Sequence, residues 1–307
     1  MIRVDRLSKS YGRKQAPAIS EVNFEVRDGE IVGFVGLNGA GKTTTIRVAV
    51  GVSLPTRGSV QIDGSDIVAS KAQASSRIGW VPEIPNFEPN AKALSLMKYF
   101  CGFYDLPSSS AGARSKELLA SVGLEGAEGK KFSAYSQGMK KRFSLAVSLI
   151  SNPQNYLFDE ILNGLDPAGI QYFRNTALQL RKEGRAILLS SHILAEVQAI
   201  ADRVVFIHKG KVIKVASMAE VSSLGTSVIA ITIQNLDDNA LGFLRTMGEV
   251  SQDGQTVRLS ASRAEAAEIN SELMNRGYRV SQIVQEKAGL EESFFRLIKE
   301  TEGGTHG

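Results

Sequence analysis

Hydrophobic and polar positions alternate with period two over much of the first 65 residues. That pattern predicts strands over 2–6, 19–26 and 59–62, and the apolar run 31–35 reads as a buried strand, with turns at Asp28-Gly29 and Asp63-Gly64. Between 91 and 104 the period changes: Leu94, Met97, Cys101 and Tyr104 recur at helical spacing, with Ala93 and Phe100 beside them. Asn152-Pro153 closes a further helix, and 156–158 reads as a short buried strand. Asp166 followed by Pro167 forms an N-cap with proline at the first helical position, opening a helix that runs to Gly184. An apolar strand at 186–189 and a hairpin over 204–215, turning at Lys209-Gly210, complete the series. Strands alternating with helices imply an α/β core around a largely parallel sheet.

Near Leu224-Gly225 the composition shifts and the period restarts. Strands are expected at 228–233, 256–260 and 278–284, with a weak one at 248–251 and a turn at Asp253-Gly254. Helices are expected at 240–247 and 264–276, so the order approximates the split βαβ, or ferredoxin-like, pattern. An amphipathic helix over 290–300 carries Phe294, Leu297 and Ile298. The expected division is therefore 1–223 and a small α+β unit at 224–300, with 301–307 a disordered tail.

One octapeptide stands out: Gly36-Leu37-Asn38-Gly39-Ala40-Gly41-Lys42-Thr43 fits the P-loop pattern G-x-x-x-x-G-K-[ST]. The strand at 31–35 feeds into it, and Thr44, Thr45 and Ile46 open a helix after it. In that setting glycines let backbone N–H groups curl around phosphate oxygens, and the helix N-terminus adds partial positive charge. Lys42 can reach the β/γ-phosphates, and the Thr43 hydroxyl can ligate Mg²⁺. The chain is expected to bind a nucleoside triphosphate.

Composition narrows the picture in a few places. At 307 residues, 43% apolar and 22% charged, the chain has room for two globular units. No window approaches 18 uninterrupted apolar residues, and the start lacks the apolar run of a secretory signal. A single cysteine, Cys101, excludes an internal disulfide framework and fits a reducing compartment. Three scattered histidines give no zinc or redox-metal cluster. The net charge of +4 is compatible with plain solubility or with weak attraction to an anionic membrane surface.

A P-loop alone leaves kinases, GTPases and many ATPases open. Phe158-Asp159-Glu160 is a strand end with two adjacent carboxylates, one suited to Mg²⁺ and one to orienting or deprotonating a water. Tyr135-Ser136-Gln137-Gly138-Met139, before a helix expected to begin at the basic run Lys140-Lys141-Arg142, offers a second phosphate-grasping turn. The basic run itself reads as a solvated helix face. His192 follows the 186–189 strand, where a side chain points toward the phosphates.

These motifs together resemble the ATP-binding cassette (ABC) proteins, in particular nucleotide-binding subunits of exporters whose membrane domains are separate chains. The resemblance covers about residues 1–223. It implies a P-loop NTPase fold with a RecA-like core, an N-terminal antiparallel β-subdomain and a helical subdomain. Residues 36–43 match Walker A, with Gly36, Asn38, Gly39, Ala40, Gly41, Lys42, Thr43 and Thr44 as nucleotide contacts. Tyr11 matches the aromatic that stacks on adenine, and Ser136 and Gly138 match signature residues that touch the nucleotide of a second subunit. Asp159 and Glu160 match the Walker B metal ligand and catalytic glutamate, Leu165-Asp166 the D-loop, and His192 the switch histidine.

Three positions depart from the family pattern. Glu83 stands where a glutamine is usual, and could reach Mg²⁺ through water. Tyr135, Gln137 and Met139 alter the signature, and Ile161-Leu162 replaces the usual Pro-Thr after the glutamate. The resemblance implies ATP and Mg²⁺ as ligands and pairing with a second cassette as homodimer or heterodimer. It also implies an integral membrane permease as partner, and a peripheral position on the cytoplasmic membrane face. The region after Glu83, with Phe87, Tyr99, Phe103 and Tyr104, offers apolar permease contacts, although core packing is the expected use of most of them. The competing reading is an ABC ATPase acting on ribosomes or DNA. It is disfavoured by a single P-loop and by the lack of a heptad run, so no nucleic acid is expected.

Overall fold

The computed structural model describes residues 1–12, 16–104, 106–224, 227–261, 266–286 and 290–303. These form two compact units, Met1–Ser217 and Met218–Gly307. The division thus falls ahead of the composition shift at 224.

The first unit opens with β1 (Ile2–Lys9), β2 (Ile19–Val26), β3 (Ile31–Val35) and α1 (Lys42–Ala49). Then come β4 (Arg57–Ile62), β5 (Ser65–Asp66), α2 (Lys71–Ser75) and β6 (Ile78–Val81). Helices α3 (Ala93–Gly102), α4 (Ser108–Ser121) and α5 (Gln137–Ser148) follow. The unit ends with β7 (Asn155–Asp159), α6 (Pro167–Lys182), β8 (Ala186–Ser191), α7 (Leu194–Ile200), β9 (Arg203–His208) and β10 (Lys211–Ser217).

The central sheet runs β10-β9-β3-β8-β7-β6. All its pairings are parallel except β10 against β9. Every residue of β3, β7 and β8 is buried, which is why these segments read as continuous apolar runs rather than alternating ones. The sheet β2-β1-β4-β5 is antiparallel, and β1 alternates Ile2, Val4 and Leu7 inward with polar residues outward. One core joins the two sheets through Phe24, Phe34, Ile46 and Leu157. Gly33 in β3 is required by close packing, since a Cβ there would lie 2.3 Å from Val197 Cγ1 of α7.

Helices α3, α4 and α5 form the helical part. The sequence pattern misses α4 because its inward stripe is Ala111, Ser115, Leu118 and Leu119, half of it small residues. Ser115 is accommodated by donating to the Ala111 carbonyl at 2.6 Å. Within α3 the buried stripe is Ala93, Leu96, Met97 and Cys101. Phe87 packs edge-on against Phe100, Phe132 and Phe143, whereas Tyr99, Phe103 and Tyr104 are exposed at 62%, 64% and 42%. The expectation that most of these aromatics serve the core is corrected for those three.

Asp166 caps α6 by accepting from Gly169 N at 3.0 Å, with Pro167 at the first position. An Asp166→Ala variant is expected to lose about 1 kcal/mol of stability. For a unit of this size that should lower Tm by roughly 2–4 °C in a thermal melt.

The second unit contains α8 (Met218–Leu224), β11 (Ser227–Gln234), α9 (Asp238–Met247) and β12 (Glu249–Asp253). It continues with β13 (Thr256–Ala261), α10 (Ala266–Asn275), β14 (Arg279–Glu286) and α11 (Leu290–Gly303). Its sheet order is β12-β13-β11-β14, antiparallel throughout, in the chain order β-α-β-β-α-β. Ile229, Ile231, Ile233, Val257 and Leu259 of the sheet form its core with Leu241 and Leu244 of α9 and Ile269 and Leu273 of α10. The closing helix continues through Gly303, so 301–303 are helical rather than part of a tail, and 304–307 lie outside the described residues.

Candidate functional site: a P-loop cleft with a clamped glutamate

The P-loop connects the end of β3 to α1. Gly41 adopts φ of 111°, a conformation that only glycine takes readily, directly before the first helical residue Lys42. A Cβ on Gly36 would lie 2.5 Å from the Ile207 carbonyl oxygen, and one on Gly41 would lie 2.5 Å from Ile19 Cγ2. The loop is therefore seated by backbone contacts that side chains would break. Lys42 is 5% exposed; its Nζ donates to the carbonyls of Gly36 at 2.7 Å and Leu37 at 3.3 Å.

A cleft of about 350 Å³ opens beside this loop. Its lining includes Asn38, Gly39, Gly41, Lys42, Thr43, Thr44, Glu83, Glu160 and His192, all anticipated from sequence. Ala18 and Asn163 also line it and were not anticipated. Gly36 and Ala40 shape the loop from behind the cleft surface, and Ala40 is buried at 5% exposure. Tyr11 is 59% exposed and does not line the cleft; the Lys9 ammonium sits 5.1 Å from its ring centroid.

Asp159 and Glu160, at the end of β7, are both buried but do different things. Asp159 Oδ1 accepts from Ser190 Oγ at 2.7 Å and from Thr43 Oγ1 at 3.3 Å. Burial pushes its pKa up, a shift opposed by those two hydrogen bonds and reinforced by the negative charges of Glu83 and Glu160. The Glu160 carboxylate is held from three sides. Lys42 Nζ lies 3.1 Å from Oε1, while Asn163 Nδ2 donates to Oε2 at 3.1 Å. His192 Nδ1 lies 3.0 Å from Oε2, a hydrogen bond its Nδ1–H tautomer donates. Sequence reasoning passed over Ser190 and Asn163 because each works through a partner distant in the chain or hidden in a loop. Their only signal is position: Ser190 precedes His192 by two residues, and Asn163 lies between Ile161-Leu162 and Leu165-Asp166.

The signature segment is set by α5. Its helix begins at Gln137, earlier than the basic run, so Gly138 lies inside the first turn and Ser136 is the N-cap, accepting from Met139 N at 3.2 Å. Tyr135 takes a structural position: it is buried and its hydroxyl donates to the Ala127 carbonyl at 3.0 Å. Desolvation raises its pKa to about 12. Ser136 is exposed, and neither it nor Gly138 lines the P-loop cleft of its own chain. The basic run is not a solvated face. Lys141 is 1% exposed with its Nζ donating to the Glu160 carbonyl, and Arg142 donates to the Gly123 carbonyl at 2.7 Å. The Lys140 ammonium lies 5.6 Å from the Phe132 ring centroid.

The donor set suits a magnesium-bound triphosphate. Backbone N–H groups and the Lys42 ammonium suit anionic phosphate oxygens, while Thr43 Oγ1 and Asp159 Oδ1 are hard oxygen donors side by side. Among the described residues no group of three or more His, Cys, Asp or Glu side chains forms a metal cage, and Mg²⁺ shared with phosphates needs none.

A P-loop with a strand-end Asp-Glu pair and a facing histidine is the arrangement of a nucleotide-hydrolysing cassette. Comparison with known proteins agrees: the ABC transporter family model matches residues 19–163. An uncharacterized ABC transporter ATP-binding protein, YdbJ of Bacillus subtilis (strain 168), is 33% identical over 96% of this chain and 94% of its own. The bacitracin transport ATP-binding protein BcrA of Bacillus licheniformis is 32% identical over 100% of this chain and 99% of its own. A solved ATP-binding subunit of an ABC transporter superposes with TM-score 0.67 at 28% identity, covering 73% of this chain and 92% of that one. The chain belongs to the ABC transporter ATP-binding proteins. It is an ATP-binding transporter subunit with the cassette fold, and the ribosome- or DNA-directed alternative finds no support among these relatives. Among the described residues no helix is long and apolar enough to cross a membrane.

Proposed function

We propose that this subunit hydrolyses ATP to energise an exporter, pairing with a second cassette and docking peripherally on the cytoplasmic face of a separate membrane permease. The observation that carries the reading is the Glu160 carboxylate, buried at the mouth of the P-loop cleft and aimed by Lys42, Asn163 and His192.

In this reading the N–H groups of 38–44 and the Lys42 ammonium bind the triphosphate, exchanging the loop carbonyls for phosphate oxygens. Thr43 and Asp159 would hold Mg²⁺, with Glu83 a further candidate through water. When bound, the ion would supply charge neutralisation to the phosphates. Glu160 takes a proton from the attacking water while His192 contacts the γ-phosphate and orients Glu160. Tyr11 stacks on adenine. Ser136 and Gly138 complete the site of the second cassette, in keeping with the exposure of Ser136 and with neither residue lining its own cleft. The exposed Tyr99, Phe103 and Tyr104 form the permease-facing patch. The second unit serves as an accessory domain to this cassette.

Co-expression with a multi-helix membrane protein encoded beside it should yield a stable complex whose ATPase rate exceeds that of the isolated chain. A chain that hydrolyses ATP at full rate alone and captures no membrane protein would sink the transport reading.

A further inference from the structure

Lys141 has no assigned part in the site, yet its surroundings are unusual for a lysine. It occupies the second turn of α5 with 1% of its surface exposed, and its Nζ donates to the backbone carbonyl of Glu160. Burying an ammonium is costly unless something nearby requires it. Desolvation lowers the Lys141 pKa, and the negative charges of Glu160, Glu83 and Asp159 oppose that shift.

What requires it is the backbone of Glu160. Glu160 has φ of 47°, in the left-handed region where a residue with a Cβ is disfavoured. Its N–H donates to Ser190 Oγ at 3.0 Å and to the Ser190 carbonyl at 3.2 Å. Its carbonyl takes the Lys141 ammonium together with the Asn163 N–H at 3.2 Å, so both flanking peptides are fixed while the side chain faces the cleft. The same helix end packs closely on the segment that follows. A Cβ on Gly138 would lie 3.0 Å from the Gly164 carbonyl oxygen, and one on Gly164 would lie 3.2 Å from Gln137 Cδ.

We infer that Lys141 is a positioning residue: its buried ammonium holds the Glu160 carbonyl and thereby fixes the left-handed turn that aims the Glu160 carboxylate into the P-loop cleft. The catalytic part of this inference rests on the proposed role of Glu160 as the base; the geometric part does not. A neutral, volume-matched residue at 141 would fill the space but leave the carbonyl without its cationic donor. The Lys141 ammonium touches a neutral carbonyl rather than a carboxylate, so replacing it removes its desolvation cost along with one hydrogen bond. Structural support and positioning therefore make different forecasts.

The test compares full-length Lys141→Met and Lys141→Gln with wild type. For Lys141→Met the expected result is a kcat lower by about ten- to a hundredfold, the range that small misplacements of a reacting group produce. The KM for ATP should stay within about twofold, since that substitution removes no ground-state contact with nucleotide. Tm should not fall. Lys141→Gln keeps a donor and should recover part of kcat. Hydrogen–deuterium exchange at 160–164 should quicken in Lys141→Met, a readout independent of turnover. Wild type without ATPase activity would count against the hydrolysis reading, and the exchange comparison would still decide on Lys141. Unchanged exchange at 160–164 overturns the inference. So does a wild-type kcat in Lys141→Met, or equal loss in both variants together with a lowered Tm.

Discussion

Glu160→Gln should cut ATP turnover by about a hundredfold or more, the range typical of removing a general base, while nucleotide binding survives. The amide is nearly isosteric and can still accept from Asn163 and His192, so the cleft keeps its shape. What disappears is a group able to take a proton from water, together with one negative charge in a pocket that must receive a triphosphate. Binding should therefore hold or tighten, and the ATP-bound pair of cassettes should persist long enough to separate by size-exclusion chromatography. Turnover within about threefold of wild type would remove Glu160 from the role of base.

Lys42→Ala should do the reverse, weakening ATP binding before chemistry begins. A charge-assisted hydrogen bond contributes about 1.5–3 kcal/mol, so its loss should raise the Kd for ATP by about ten- to a hundredfold. A second effect follows from the contact with Glu160 Oε1: removing the lysine leaves a 4%-exposed carboxylate without its nearest cation. Stranding a buried charge is strongly destabilising, so Tm should fall as well. The double variant Lys42→Ala, Glu160→Gln separates the two effects. It should regain Tm without regaining affinity, as read by nucleotide titration and thermal melting. An undiminished affinity in the single variant would reject phosphate binding by Lys42.

The legible parts of this chain were those whose physics is local. The P-loop is one uninterrupted octapeptide between a strand and a helix, and β3, β7 and β8 announce themselves as apolar runs because both faces are covered. The Asp166-Pro167 start of α6 is equally local. Helix α4 escaped notice because alanine and serine supply half its buried stripe, and α7 because Leu194, Val197 and Ile200 span too few residues to establish a period. Within the site, Ser190 and Lys141 act on Asp159 and Glu160 from other elements, contacts that spacing along the chain does not encode. A basic triplet on a helix is usually solvated; here the helix packs with that turn inward, and one lysine is buried against a carbonyl.

The backbone of Glu160 places competing demands on one position. A left-handed conformation at a residue with a side chain costs of order 1–3 kcal/mol, and glycine or asparagine would relieve much of it. Selection for heat resistance alone would thus favour glycine or asparagine at 160, and on the proposed role of Glu160 the sturdier cassette would grip ATP and rarely spend it.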